Sequence, residues 1–98
     1  MVENPNRKVE KLLPEERLGG NGLFARVTVF PGREIDYHEH HGESETYYII
    51  KGQGEYDDNG TKRSVTVGDK TFTPDGCGHG IANTGDEDLV FMALIQLD

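Results

Sequence analysis

The chain reads as all-β, an antiparallel double-sheet barrel of the jelly-roll kind, and three observations predict it. Apolar and polar side chains alternate with a period of two over several short runs rich in valine, isoleucine, threonine and tyrosine. Turn-forming residues punctuate those runs at short intervals: Pro31-Gly32, Gly52 and Gly54, Asn59-Gly60, Gly68-Asp69, Pro74-Asp75-Gly76 and Asn83-Thr84-Gly85-Asp86. The one helical candidate, residues 11–18, is cut by Pro14 and stopped by Gly19-Gly20, which leaves a single turn at most. Roughly eight to ten short strands are expected. With 98 residues, 34% of them apolar, the chain is one domain near the low end for a self-sufficient core.

Residues 1–22 read as a polar, irregular N-terminal arm whose Leu12, Leu13 and Leu18 need cover from the barrel or from a partner. The barrel then occupies residues 23–98. In the run 23–30, Ala25, Val27 and Val29 alternate against Arg26 and Thr28, and Pro31-Gly32 turns the chain into a second strand over 34–40. Residues 45–50 form the densest β-former, with aromatic and β-branched residues on both faces. Burial on both faces is expected there, with Glu45, Tyr47 and Ile49 directed inward. Gly52 and Gly54 mark a bend or bulge.

Asn59-Gly60 is the strongest hairpin signal, and centring the turn on it sets Asp57 opposite Lys62 and Tyr56 opposite Arg63. Asn59-Gly60-Thr61 also matches a glycosylation acceptor, a chance match where no secretion signal accompanies it. Strands over 64–67 and 70–73 flank Gly68-Asp69, and Thr73-Pro74-Asp75-Gly76 reads as a type I turn that aims the next strand. Residues 89–97 carry one polar side chain in nine positions, so one face meets the core and the other meets a partner subunit or the arm. This predicts a homodimer.

Three of the four histidines lie in residues 32–52 and the fourth, His79, in residues 68–83. Strand alternation puts His38 and His40 on one face and Glu39 on the other, and after a turn through His41-Gly42-Glu43-Ser44 the side chain of Glu45 can reach the same space. Two imidazoles and a carboxylate suit a divalent first-row metal such as iron, manganese, cobalt, nickel or zinc, and His79 would complete a shell of three histidines and one glutamate. Such a shell closes a tetrahedral zinc site but leaves two positions open on an octahedral ion. The Pro74-Asp75-Gly76 turn is expected to bring His79 in from the side opposite His38 and His40. Tyr47, by strand parity, is a candidate pocket wall. Cys77 shares parity with His79 and is either a soft neighbour of the metal or, the favoured reading, a small buried hydrophobe. His41 falls on the other face and reads as a turn residue.

The spacing Gly32, five residues, His38-x-His40, four residues, Glu45, six residues, Gly52 resembles the first motif of the cupin superfamily. Gly68, five residues, Pro74-Asp75-Gly76, two residues, His79, three residues, Asn83 resembles the second. The resemblance implies a double-stranded antiparallel β-helix with one barrel, and a metal on His38, His40, Glu45 and His79. It implies little about substrate, because the superfamily carries dioxygenases, decarboxylases, sugar isomerases, sensor domains and storage proteins. Small cupin-like proteins are also commonly dimeric.

A net charge of −8, with no basic stripe, argues against nucleic acid as partner. No run resembles a signal sequence or is long enough to cross a bilayer, and the single cysteine forms no internal disulfide, so a cytoplasmic location is expected. Three classes of function follow: a small-molecule metalloenzyme of dioxygenase or isomerase/decarboxylase type; a module that binds or senses a metabolite without turning it over; and a structural or vestigial barrel. The sequence assigns no catalytic residue beyond the metal shell, since Tyr47 and Cys77 are weak bases at neutral pH.

Overall fold

Period-two alternation along the chain can be satisfied only if each strand offers one face to a shared interior. In the computed structural model, which describes residues 4–13 and 22–97, two antiparallel sheets meet that condition. The strands are β1 (Arg7–Lys11), β2 (Leu23–Val29), β3 (Glu34–Glu39), β4 (Glu43–Lys51), β5 (Gln53–Asp58), β6 (Thr61–Thr66), β7 (Lys70–Thr73), β8 (Gly78–Asn83) and β9 (Leu89–Leu97). One sheet runs β1-β2-β9-β4-β7 and the other β3-β8-β5-β6. The core lies between them: Ala25, Val27, Val29, Tyr47, Ile49, Leu89, Phe91 and Ala93 from the first sheet, and Tyr56, Val65 and Ile81 from the second. Among the described residues, no helix is long and apolar enough to cross a membrane.

Several expectations need correction. Residues 7–11, read as irregular, form an edge strand on β2 with Arg7 opposite Val29 and Lys11 opposite Ala25. The pairing is held by backbone hydrogen bonds, which a charged segment forms as readily as an apolar one. The single helical turn expected over 11–18, and Leu18 with it, falls largely outside the described residues. Leu12 and Leu13 stay exposed within them.

Burial of β4 on both faces does not hold either. Glu45, Tyr47 and Ile49 are buried, whereas the outward Tyr48 and Ile50 are 43% and 39% exposed. The outward Val90, Met92 and Leu94 of the central strand β9 are half-buried by lateral neighbours in the sheet, Arg26 and Tyr48 flanking Met92 and Phe24 and Thr46 flanking Leu94.

The Asn59-Gly60 hairpin has the expected register, Asp57 opposite Lys62 and Tyr56 opposite Arg63. Asn59 and Gly60 take φ values of 51° and 99°, the left-handed pair that matches strand twist. The Arg63 guanidinium lies 5.3 Å from the Tyr56 ring centroid, but the ion pairs form on diagonals, Arg63 to Asp58 at 2.6 Å and Lys62 to Glu55 at 3.9 Å. The turn before β8 sits one residue later than expected. Cys77 N–H donates to the Pro74 carbonyl at 3.1 Å, and Gly76, at φ +84°, holds the third position, as in type II.

Candidate metal centre

A bulge decides which way the histidines face. Ile35 pairs with Ile81 and His38 with His79, so Asp36 and Tyr37 of β3 together oppose Gly80 of β8. Without that extra residue, Ile35 and His38 would face opposite sides of the sheet; with it, both face the interior. Gly80 makes the bulge possible, because a Cβ there would lie 3.0 Å from the Ile35 carbonyl oxygen and from the Tyr37 nitrogen. Just beyond β3, His40 is anchored to the turn before β8: its N–H donates to the Cys77 carbonyl at 3.0 Å, and its own carbonyl accepts from Gly76 N–H at 2.8 Å.

This arrangement corrects the expected approach of His79. It stands beside His38 in the same sheet, directly across the β3–β8 ladder, and Glu45, on β4, is the side chain that arrives from the facing sheet. The four groups converge nonetheless. One nitrogen from each of His38, His40 and His79 and one oxygen of Glu45 lie within 4.8 Å of one another. His40, Glu45 and His79 are buried and His38 is half-buried.

The hydrogen bonds fix which nitrogen each ring turns to the centre. His38 Nδ1 donates to the Asp36 carbonyl at 2.8 Å, and His40 Nδ1 to the Glu43 carboxylate at 2.6 Å. His79 Nδ1 lies 2.8 Å from the Tyr56 hydroxyl and 3.0 Å from Thr73 Oγ1, which are 2.7 Å from each other, so a hydroxyl oxygen is at hand to accept its proton. With Nδ1 protonated, Nε2 is a bare lone pair. His40 Nε2 stands 3.0 Å from His79 Nε2, and Glu45 Oε1 stands 3.0 and 2.9 Å from these two nitrogens.

An all-acceptor cluster at such separations is repulsive unless a cation lies within it. Ligands about 2.1 Å from a metal and at right angles to one another are about 3.0 Å apart, against about 3.4 Å for a tetrahedral pair. The three short separations match the right-angled arrangement. One cluster of three histidines and a glutamate is thus able to hold one divalent ion per chain.

A cavity of about 180 Å³ opens onto this cluster, lined by His38, His40, Glu45 and Tyr47, by the charged Arg7, and by Ile35 of β3 and apolar side chains of β1, β2 and β9. The Tyr47 ring stacks on His79 with centroids 4.8 Å apart and packs on Phe91 at 4.2 Å, and its hydroxyl is 3.5 Å from His79 Nε2. Burial pushes the Tyr47 phenol well above its ordinary pKa of 10.0 and the Glu45 carboxylate adds to this, while Arg7 pulls weakly the other way. Tyr47 therefore remains a protonated donor at neutral pH. Cys77 is half-buried in the turn before β8 and is not among the residues lining the cavity. His41 is exposed, near Glu39 at 3.6 Å. Sequence reasoning missed Arg7, whose place here depends on β1 joining the sheet.

The chain is 47% identical over 75 residues to an oxalate-binding protein of Thermotoga maritima, covering 76% of this chain and 62% of that protein. It is 34% identical over 103 residues to an oxalate decarboxylase of Bacillus subtilis, covering all of this chain but 24% of that enzyme. The chain therefore spans under two thirds of the length of either relative. The crystal structure of a predicted oxalate decarboxylase from Thermotoga maritima superposes with a TM-score of 0.89 at 41% identity, covering 94% of this chain and 81% of that one. The model of the cupin domain matches residues 25–95, all but the ends of the chain, and on that match the protein belongs to the cupin family.

Proposed function

We propose that the chain holds one Mn(II) or Fe(II) ion on His38, His40, Glu45 and His79 and uses it to capture a small chelating carboxylate of the oxalate type. The observation that carries this reading is the set of His40, His79 and Glu45 ligand atoms 2.9 to 3.0 Å apart, with His38 completing the cluster and with His38 and His40 each held in the required tautomer by an acceptor of its own. Both curated relatives named above are called after oxalate, which supports the ligand class. When bound, the ion supplies a Lewis acid with positions left for a chelating ligand.

The chain's own residues do the rest. Apolar walls from β2 and β9 exclude water, and the Tyr47 hydroxyl offers a hydrogen bond to whatever anion lies beside His79. Apart from the four clustered residues, only Arg7 and Tyr47 among the described residues bring polar side chains to the cavity, and neither a guanidinium nor this buried phenol acts as a base at neutral pH. Capture is therefore the primary reading. Decarboxylation is the second, favoured by the proton that Tyr47 retains close to the centre.

Calorimetric titration of the Mn(II)-loaded protein with oxalate is the test. Binding at least about 100-fold tighter than to metal-free protein is expected, and equal affinity with and without metal contradicts the reading. Formate appearing in the same samples replaces capture with turnover.

We also place the expected homodimer on the outer face of the five-stranded sheet, supported by Tyr48 and Phe72, which are 43% and 55% exposed there. Sedimentation at low micromolar concentration is expected to give twice the 10.9 kDa chain mass. The mass of a single chain rules this out.

A further inference from the structure

We propose that Arg7 is the specificity determinant of the cavity: its guanidinium pairs with the carboxylate oxygens of a metal-chelating dianion that the metal does not use, so small dicarboxylates are taken in preference to monocarboxylates of the same size. This rests on the reading of the centre as a metal site for a chelating anion.

Arg7 lies opposite Val29 and Val9 opposite Val27, so both share the inward face and both line the cavity, whereas Lys8 and Glu10 turn outward. The outward charges are matched: Glu10 takes Arg26 at 2.8 Å and Lys8 at 3.6 Å. Arg7 is half-buried and has no carboxylate partner among the described residues. A partly desolvated guanidinium without a counter-ion is unfavourable, and its planar fork suits a carboxylate.

Among the described residues, Arg7 is also the only basic side chain on the cavity wall outside the histidine cluster. A divalent ion, the Glu45 carboxylate and the Arg7 guanidinium together leave a net charge equal to that of the ion alone. A dicarboxylate dianion neutralises it and a monocarboxylate neutralises half. The volume of about 180 Å³ is below the roughly 300 to 1,000 Å³ of sites for drug-sized ligands and fits an anion of a few carbons. The Glu43 carboxylate bonds the outer nitrogen of His40 and does not line the cavity, so it leaves Arg7 unopposed.

Oxalate and glycolate make a discriminating pair of probes, since both are two-carbon chelators and differ by one negative charge. Calorimetry on the Mn(II)-loaded protein is expected to show Arg7→Met weakening oxalate by about 10- to 100-fold and glycolate by less than about 3-fold. Manganese content per chain, measured on the same samples, is expected to be unchanged. Arg7→Lys, which keeps the charge but not the fork, is expected to weaken oxalate by about 5-fold, and it carries the test if Arg7→Met does not fold. Oxalate bound by these variants as tightly as by the parent protein overturns the role of Arg7 and leaves the metal-site reading intact. Failure of the loaded parent protein to bind either anion overturns both.

Discussion

His79→Ala is expected to strip the protein of its metal. His79 is fully buried, stands 3.0 Å from His40 Nε2 and 2.9 Å from Glu45 Oε1, and is the side chain through which β8 joins the cluster. Losing an outer partner of a metal ligand typically costs about 10- to 100-fold in affinity, so loss of the ligand itself is expected to cost more than about 100-fold. The fold is expected to survive. The Tyr56 and Thr73 hydroxyls still bond each other at 2.7 Å, and removing one member of a repulsive acceptor cluster offsets part of the cavity left behind. The expected loss of metal-free stability is no more than about 2 kcal/mol. Metal content measured after gel filtration decides the matter, and undiminished metal in a folded variant contradicts the four-residue site.

Gly52→Ala is expected to be the most destabilising small substitution in the barrel. Gly52 joins β4 to β5 at φ +81°, in the left-handed region, and a Cβ there would lie 2.5 Å from the Asp88 carbonyl oxygen and 3.1 Å from the Leu89 Cα. Both obstacles are backbone at the entry to the central strand β9, so neither can rotate aside. Overpacking costs about 1 to 3 kcal/mol and the left-handed conformation about 1 to 2 more, for an expected total of about 3 kcal/mol. Gly68→Ala is the control. Gly68 has φ +93°, and a Cβ there would meet nothing within 4 Å, so only the conformational cost of about 1 to 2 kcal/mol applies. Urea midpoints of the two variants measure the difference, and equal destabilisation contradicts the steric account.

The parts of this molecule that are legible in sequence are those where short-range chemistry decides. Asn59-Gly60 specifies its hairpin register because few residue pairs accept two consecutive left-handed conformations. The inward triplet Glu45, Tyr47 and Ile49 follows from alternation, and the long strand ending at Leu97 from its near-continuous apolar run. Convergence of His38, His40, Glu45 and His79 can be read from motif spacing, but their route cannot. Strand order places β8 beside β3, and nothing local to His79 encodes its pairing with His38, far back in the chain. The bulge has a trace in the sequence: Ile35 and His38 are of opposite parity yet both face inward, and a glycine stands across from them at 80. β1 leaves no such trace. Its five residues include three basic and one acidic side chain, and they pair because β2 offers a free edge. Arg7 is invisible for the same reason. Tyr48 and Ile50 mislead in the opposite direction, since strand propensity reports a fit to the pleat and not which face is covered.

Whether the lone-pair cluster holds a cation is tested most directly by elemental analysis of protein purified without a metal-affinity tag. Close to one manganese or iron per chain is expected, removed by a chelator together with a fall in melting temperature and restored on adding the ion back. Protein that carries no metal, and takes up none when exposed in turn to manganese, iron, cobalt, nickel and zinc, would contradict the metal-site reading.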